Sequence, residues 1–290
     1  MDALLTGLGA ERLTRVVDVG ANPLSDPPYK FLMDRGACEV FGFEPQEEAF
    51  EELQQIKAEN ETYFKCAVGD GTAQTLYIYN ESGLTSTFRA NEAALGFLGR
   101  SARNIRLKET ETLKTKRLDD LDDIPDFDVL KIDVQGSEVA VFRGGAEKLK
   151  SATVVIPEVR FYPLYEGEPM LGGVDEELRA QGFILHKFMF LKPKVLPSRH
   201  IDHLKRTQHR NQLIDGDAVY LRDLGHPEDY SDEQLKHLAI AASAIFESHD
   251  LVLHCLDHLI ERKAVDPVIS ERYLAGLPGD LVKSLPTAQR

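Results

Sequence analysis

The sequence predicts an α/β fold with a parallel sheet, followed by a helical segment at the C-terminal end. In the first half of the chain, short β-branched runs alternate with helix-favouring runs, a pattern typical of parallel strands joined by right-handed crossovers. The 290 residues suffice for one large domain, or for one domain with an appendage. From about Asp223 the pattern becomes helical, so we expect a first domain over residues 1–224 and a helical extension over 225–290.

The first elements follow from local patterns. A β-branched run that ends at Gly20 predicts the first strand, and Phe50, Leu53 and Ile56 at helical spacing predict the buried face of a helix. The first three strands and the helices between them are expected in this order: strand 16–19, helix 26–36, strand 40–43, helix 46–59 and strand 62–68.

The second half predicts a mixed arrangement. Paired strands flank a loop of glycine, serine and threonine at 82–87, and a basic loop with His200, His203 and His209 precedes the last strand. That loop is interpreted either as an anion-binding segment or as an ordinary solvated loop. The expected elements are strands 75–79, 110–117, 128–133, 153–156, 183–191 and 218–221, helices 137–149 and 174–180, and the loop 192–210.

Two features define the extension. Ser231 and Gln234 form a capping-box pattern that predicts a helix start. An apolar stripe at helical spacing follows, and it either packs within the chain or forms a homodimer interface. Its members are Val252, Cys255, Leu256, Leu259 and Ile260.

Composition excludes several classes of protein. Hydrophobic residues make up 42% of the chain and charged residues 28%, which indicates a globular fold. No apolar run approaches the ~18 residues of a membrane span, and no basic, apolar leader opens the chain, so we expect a cytoplasmic protein without a membrane span. The net charge of −14 argues against nucleic-acid binding. Three scattered cysteines predict neither a disulfide framework nor a zinc cluster, and we expect no bound metal.

Polar residues follow the first three strands, where open α/β sheets bind their ligands. Gly20 allows a ligand to approach the backbone, but the single glycine and Pro23 do not suit a dinucleotide pyrophosphate. Glu44 could accept hydrogen bonds from both ribose hydroxyls of a nucleoside, or it could be a helix-start carboxylate. Asp70 could bind an adenine amino group or make a turn.

The run from Lys131 to Glu138 is the most informative. Lys131 and Asp133 lie two apart on an apolar strand and therefore point to one side, either into a site or as a structural ion pair. Glu158, after the next strand, adds a carboxylate, and this cluster suits substrate binding and proton abstraction. Its expected substrate contacts are Lys131, Gln135, Arg160, Tyr162, Tyr165 and His186.

The order of these motifs resembles the FkbM family of S-adenosylmethionine-dependent methyltransferases, over residues 15–222. The resemblance implies a class I Rossmann-like methyltransferase fold, with a mostly parallel sheet and an antiparallel final strand. It also implies O-methylation of a hydroxyl on a sugar, a glycan or another small natural product. The cofactor residues that it implies are Asp18, Gly20, Ala21, Asn22, Glu44, Pro45, Ala67, Val68, Asp70 and Asp133.

Two departures from the family pattern affect the site. Pro23 stands near the position of a glycine that many members carry, and Gln135 replaces the more usual acid before Gly136. For the reaction, we predict Asp133 or Glu158 as the general base, without a choice between them, and Lys131 or Arg160 as the residue that orients the substrate.

Three alternatives remain open at this stage. Asp133, Gln135 and Glu158 could bind a divalent cation, although their spacing defines no metal site. The scaffold could be a non-catalytic nucleoside-binding or interaction module. A dehydrogenase is disfavoured because the glycines of a dinucleotide site are missing. His254 and His258 are interpreted as solvated helix residues rather than a metal clamp.

Overall fold

The computed structural model describes residues 1–23 and 25–283. The chain divides into two compact units. The sheet unit consists of Arg15–Ser25 and Val40–Asp223, and the helical unit consists of Met1–Thr14, Asp26–Glu39 and the chain from Leu224 onwards.

Ten strands form two sheets in the described part of the chain. The seven-stranded sheet has the order β3-β2-β1-β7-β8-β10-β9, and the three-stranded sheet has the order β4-β6-β5. The strands are β1 (Thr14–Val19), β2 (Cys38–Phe43), β3 (Glu61–Phe64), β4 (Ala67–Val68), β5 (Ala73–Tyr79), β6 (Leu107–Lys116), β7 (Val129–Ile132), β8 (Val154–Arg160), β9 (Phe183–Lys194) and β10 (Gln212–Arg222).

The large sheet has the predicted directions. β1, β7 and β8 run parallel, as do β2 and β3. β10, the last strand in the chain, is antiparallel to both β8 and β9. The prediction of a mostly parallel sheet with an antiparallel final strand is therefore confirmed.

Nine α-helices are found among the described residues. They are α1 (Asp2–Gly7), α2 (Lys30–Met33), α3 (Glu47–Ile56), α4 (Glu92–Phe97), α5 (Glu138–Gly144), α6 (Leu171–Ala180), α7 (Asp232–Ala244), α8 (His249–Glu261) and α9 (Val268–Ala275).

Several predicted boundaries are wrong. The strand expected over 62–68 is two strands in different sheets, because the chain turns at Cys66, whose amide donates to the Phe64 carbonyl. The helix expected over 26–36 is the four-residue α2, since Pro28 disfavours the helical conformation of the residue before it. Ile56, expected on a buried face, is 64% exposed. The loop expected over 192–210 begins only after Lys194, where β9 ends.

The main core lies within the sheet unit. Its buried side chains come chiefly from strands of the large sheet and from α5 and α6, and they include Val17, Leu130, Phe142, Val155 and Phe183. The strands β7 and β8 are buried over most of their length, as expected for parallel strands covered on both faces. This rigid sheet positions the polar residues at its edge.

The helical unit takes in the N-terminal segment as well as the C-terminal one, because α1 packs against α7 and α9. The capping box at Ser231 and Gln234 is present at the start of α7. In α8, the stripe residues Val252, Cys255 and Leu256 are fully buried. These positions pack within the chain, and the predicted homodimer stays a prediction. Residues 284–290 of the predicted extension lie outside the described residues.

No helix of the described chain is both long enough and apolar enough to cross a bilayer.

Gly20 allows two backbone segments to meet at the edge of the sheet. Its φ angle is +84°, and a Cβ atom at this position would lie 2.1 Å from the carbonyl oxygen of Asp133. The amides of Gly20 and Ala21 both donate to the Phe43 carbonyl at 3.0 Å. The ends of β1, β2 and β7 are therefore held together by backbone contacts that leave no space for a side chain.

Replacing Gly20 with alanine is expected to lower the free energy of unfolding by roughly 1–3 kcal/mol, because the substitution combines an unfavourable φ angle with a backbone clash. Urea unfolding followed by circular dichroism measures the change. Gly96→Ala in α4 is the matched control, since a Cβ atom there meets nothing within 4 Å. Alanine also favours a helix, so the control should not be destabilised. Equal losses in the two variants would contradict the close approach at Gly20.

Candidate active site

The carboxyl ends of β1, β7 and β8 bring three predicted acids to one edge of the large sheet. Asp18 lies near the end of β1, Asp133 directly follows β7, and Glu158 lies near the end of β8. Since these strands are neighbours in the sheet, residues that are far apart in the sequence share one crevice. All of them belong to the sheet unit.

Asp18 and Lys131 form a buried ion pair across two strands. Their Cα atoms are partners in the β1–β7 register, and the Lys131 Nζ lies 3.1 Å from the Asp18 Oδ1. Burial disfavours the charged lysine, but the carboxylates of Asp18, Asp133 and Asp217 outweigh it, so the pKa of Lys131 is raised. The sequence predicts Lys131 as a substrate contact. In the structure this ammonium balances the acids around it, and the predicted substrate contact stays a prediction.

Glu44 follows β2 and is only 4% exposed. One of its oxygens, Oε1, accepts a 2.7 Å hydrogen bond from the Gln46 amide just before α3, as the helix-start interpretation predicts. Burial, with a contribution from Asp18, raises the pKa of Glu44 to about 7. A carboxylate so reluctant to ionise gains from any ligand that donates hydrogen bonds to it.

The residues predicted beside the adenine are divided between two environments. Ala67 and Val68 are buried in β4. Asp70 is exposed, and its Oδ1 accepts hydrogen bonds from both the amide and the hydroxyl of Thr72, which lower its pKa. This geometry corresponds to the turn interpretation of Asp70, whereas the predicted adenine contact stays a prediction.

The side-chain amide of Gln135 connects the two predicted catalytic acids. Its Nε2 donates to the Asp133 Oδ1 at 2.7 Å and to the Glu158 Oε2 at 3.0 Å. Its Oε1 accepts from the Arg160 guanidinium at 2.7 Å and from the Tyr165 hydroxyl at 3.1 Å. All four hydrogen-bonding positions of the amide are thus used. An acid at this position would have no hydrogen to donate to either carboxylate.

Gln135 also has an unusual backbone. Its φ angle of 55° lies in the left-handed region, which costs a non-glycine residue free energy. The Ser86 hydroxyl holds the Gln135 carbonyl at 2.6 Å, so the loop at 82–87 contacts this turn. The buried Glu138 supports the turn from the other side, by accepting hydrogen bonds from the amides of Val134 and Gly136. Burial raises the pKa of Glu138 to about 7.

Arg160 is the buried cation on the β8 side of the site. The sequence predicts it as a substrate contact, but it is 4% exposed and surrounded by protein acceptors. Its guanidinium lies 2.7 Å from Glu158, 3.5 Å from Glu168 and 3.5 Å from Asp215. Burial disfavours the charged guanidinium, but Glu158, with contributions from Glu138 and Tyr165, outweighs it, so the pKa of Arg160 is raised. In the structure Arg160 holds acids in place, and it presents little surface to a substrate.

Glu158, one of the two predicted bases, has a raised proton affinity. Burial and the nearby charge of Asp133 raise its pKa well above the ordinary value, although Arg160 acts in the opposite direction. Its side chain is 14% exposed. A carboxylate with a raised pKa at the mouth of a crevice is suited to accept a proton near neutral pH.

The predicted aromatic and histidine contacts lie at different places. Tyr165 is buried, with its hydroxyl on Gln135 and its pKa raised by burial. Tyr162 stacks on the half-exposed Phe97 with ring centroids 6.1 Å apart. His186 is the fourth residue of β9, at the opposite end from the site, since its neighbour Leu185 pairs with Tyr220. The structure therefore does not bring His186 to the acids.

Sequence reasoning missed three acids of the site. Asp215 and Asp217 lie at the start of β10, opposite Arg160 and Glu158, but only residues 218–221 were expected in this strand. Their spacing of two, which places both side chains on one face, was an available signal. Glu168, whose Oε1 accepts from the amides of Leu164 and Tyr165, had no local signal.

In the described part of the chain, no three or more His, Cys, Asp or Glu side chains are grouped so that they could hold a metal ion. The rings of His254 and His258 on α8 lie 4.6 Å apart, and the ring of His258 is also 3.6 Å from Glu261.

Comparisons with solved structures give matches of low identity. A magnesium protoporphyrin IX methyltransferase from Synechocystis, solved with S-adenosylmethionine, is 10% identical over 77% of each chain, with a TM-score of 0.36. An S-adenosylmethionine-dependent methyltransferase from Mesorhizobium loti is 10% identical over 76% of this chain and 95% of its own, with a TM-score of 0.38.

A third structure, the methyltransferase FkbM from Methylobacillus flagellatus, is 14% identical over 72% of this chain, with a TM-score of 0.38. The match spans 43% of that longer protein. No curated protein matches the sequence.

A match to a protein-family model covers the motifs of the candidate site. Residues 18–185 match the model of the methyltransferase FkbM domain. This range is more than half of the chain, and it includes Asp18, Glu44, Asp133, Gln135 and Glu158. The strand order and the antiparallel β10 agree with the class I Rossmann-like methyltransferase fold that the resemblance implies. The chain therefore belongs to the FkbM methyltransferase family.

Proposed function

We propose that this protein, an S-adenosylmethionine-dependent methyltransferase by family, transfers the methyl group to a hydroxyl of a sugar, a glycan or another small natural product. The observation that carries the proposal is the Asp133–Gln135–Glu158 arrangement at the edge of the sheet. A hydroxyl nucleophile must lose a proton during the reaction, and this arrangement holds a carboxylate of raised proton affinity at the ligand-binding edge.

The residues after β1 and β2 fit the cofactor. Glu44 is a buried carboxylate whose proton affinity is raised to near neutrality, and hydroxyl donors from a ribose would stabilise its ionised form. The turn at Gly20 and Ala21 is held by backbone bonds to Phe43 beside Glu44, so backbone and carboxylate are close together. S-adenosylmethionine supplies an electrophilic methyl group on a sulfonium centre.

Glu158 is the general base of the proposed reaction. Burial and the nearby Asp133 carboxylate raise the affinity of Glu158 for the proton of the acceptor hydroxyl. Gln135 is a positioning residue, because its amide donates to both carboxylates and is itself oriented by Arg160 and Tyr165. The proton passes from the acceptor oxygen to the Glu158 carboxylate, while the rigid turn keeps both acids aligned.

Affinity for S-adenosylhomocysteine is expected to increase between pH 6 and pH 8. Glu44 has a pKa of about 7, and its ionised form accepts hydrogen bonds from ribose hydroxyls better than the protonated form does. Asp18 and Lys131 act on Glu44 in opposite directions. In isothermal titration of the full chain, a Glu44→Gln variant should bind S-adenosylhomocysteine roughly tenfold more weakly than the wild type at pH 8. Its affinity should depend little on pH.

The matched control for this titration is Glu48→Gln, an exposed acid at the start of α3. It should bind as the wild type does. Wild-type affinity retained by Glu44→Gln at pH 8 would refute the ribose contact, and no binding by folded wild-type protein would favour a non-catalytic module.

In an Asp133→Asn variant, the acid limb of the pH profile of kcat/KM is expected to move to lower pH by about one unit. The reason is that the substitution removes a charge that raises the pKa of Glu158. Since the base must be deprotonated, kcat/KM rises with pH through that pKa. Glu158→Gln should lower kcat by roughly 10²–10⁴-fold without weakening S-adenosylhomocysteine binding. Acceptors come from a screen of sugars and small alcohols with methyl-labelled S-adenosylmethionine.

Asp122 is an exposed acid outside these motifs, so Asp122→Asn serves as the control. It should leave both kcat and the acid limb of the kcat/KM profile unchanged. Glu158 is not the base if Glu158→Gln keeps full turnover. An acid limb that stays in place in Asp133→Asn would remove the proposed role of the Asp133 charge.

A further inference from the structure

The connection between β9 and β10 differs in charge from the rest of the chain. Residues 190–212, here termed the basic hairpin, contain six lysines and arginines and one aspartate, a formal charge of +5 in a chain of net charge −14. Its basic residues are Lys192, Lys194, Arg199, Lys205, Arg206 and Arg210.

Most of this positive charge faces solvent. Residues 196–211 are exposed except for Ile201, which is half-buried. Arg206 has an ion-pair partner in Asp202 at 2.5 Å. Arg199, Lys205 and Arg210 have no acidic partner among the residues that the structure describes, so they attract external anions without competition.

The same segment exposes large apolar side chains. Phe190 is 54% exposed, Leu191 39%, Leu196 47% and Leu204 50%. These are four of the nine large apolar side chains that are exposed in the described chain, although the hairpin is only 23 residues long. Leaving such side chains in water costs free energy, which an apolar partner would recover.

The pattern of charge and apolar residues favours a lipid surface over other anionic partners. Basic and apolar residues alternate along the hairpin, as in segments that lie in a membrane interface. Anionic headgroups would pair with the cations while the apolar side chains enter the layer beneath them. A nucleic acid would satisfy the cations but would leave Leu196 and Leu204 in water.

We propose that the basic hairpin docks the protein on a bilayer that contains anionic phospholipids. The hairpin joins the candidate site at its base, where Lys192 lies 3.1 Å from Asp215, and Asp215 lies 3.5 Å from Arg160. Docking therefore places the carboxyl edge of the sheet beside the membrane, where a lipid-linked acceptor would be presented. The docking itself does not depend on methyl transfer.

Flotation of the full chain with vesicles tests the proposal. Vesicles of phosphatidylcholine mixed with phosphatidylglycerol should carry several-fold more protein than vesicles of phosphatidylcholine alone. Added salt should reduce the bound fraction, because surface charges are screened beyond about 8 Å at physiological ionic strength. Equal binding to the two kinds of vesicle, or none to either, would overturn the proposal.

Two sets of substitutions separate charge from apolar contact. Arg199→Gln, Lys205→Gln and Arg210→Gln combined should reduce vesicle affinity by roughly tenfold or more. Leu196→Ser combined with Leu204→Ser should also weaken it. The matched controls replace exposed residues outside the hairpin. One control combines glutamine at Lys57, Arg103 and Lys114, and the other combines serine at Ile56 and Leu107. Both controls should bind vesicles as the wild type does.

Circular dichroism and the Tm show whether each variant is folded. Equal losses in the hairpin variants and the controls would indicate a non-specific charge effect and refute the docking role. Binding of a fluorescent oligonucleotide, unaffected by the two leucine substitutions and without vesicle binding, would assign the hairpin to nucleic acid instead.

Discussion

The buried guanidinium of Arg160 holds together side chains from four separate segments of the sheet unit. Glu158 comes from the same strand, Gln135 from the turn after β7, Glu168 from the segment before α6, and Asp215 from β10. Removing the cation would leave several acids buried without compensation, which is more costly than losing a surface ion pair. The arrangement of the candidate site therefore depends on this one charge.

Lys131 has a similar role on the β1 side. It pairs directly with Asp18 and lies close enough to Asp133 and Asp217 for both to raise its pKa. The two cations thus divide the acids of the edge into two groups, and the neutral amide of Gln135 connects the groups through its hydrogen bonds to Asp133 and Glu158.

Much of this site was predictable because it follows from strand order. Asp133 and Glu158 both end parallel strands, and neighbouring parallel strands end at the same edge. Local patterns do not predict the end of a strand where the backbone changes direction within an apolar run, as at Cys66. They also do not predict the ion-pair partner of a buried side chain when that partner is distant in sequence. The sequence predicts Lys131 on its strand but ends the next strand at residue 156, whereas β8 extends to Arg160. The partners of these two cations, Asp18 and Asp215, cannot be chosen from spacing.

The sequence by itself determined the family, the α/β class, the direction of the last strand and the edge of the sheet at which the motif residues meet, since these depend on the order of local signals along the chain. Only the tertiary structure decided that Gln135 connects Asp133 to Glu158, that Arg160 faces inward and that His186 lies at the far end of β9. Those features depend on contacts between residues that are far apart in the sequence. Gln135 and Glu158 are 23 positions apart, and Arg160 and Asp215 are 55 positions apart, so no local periodicity predicts these contacts.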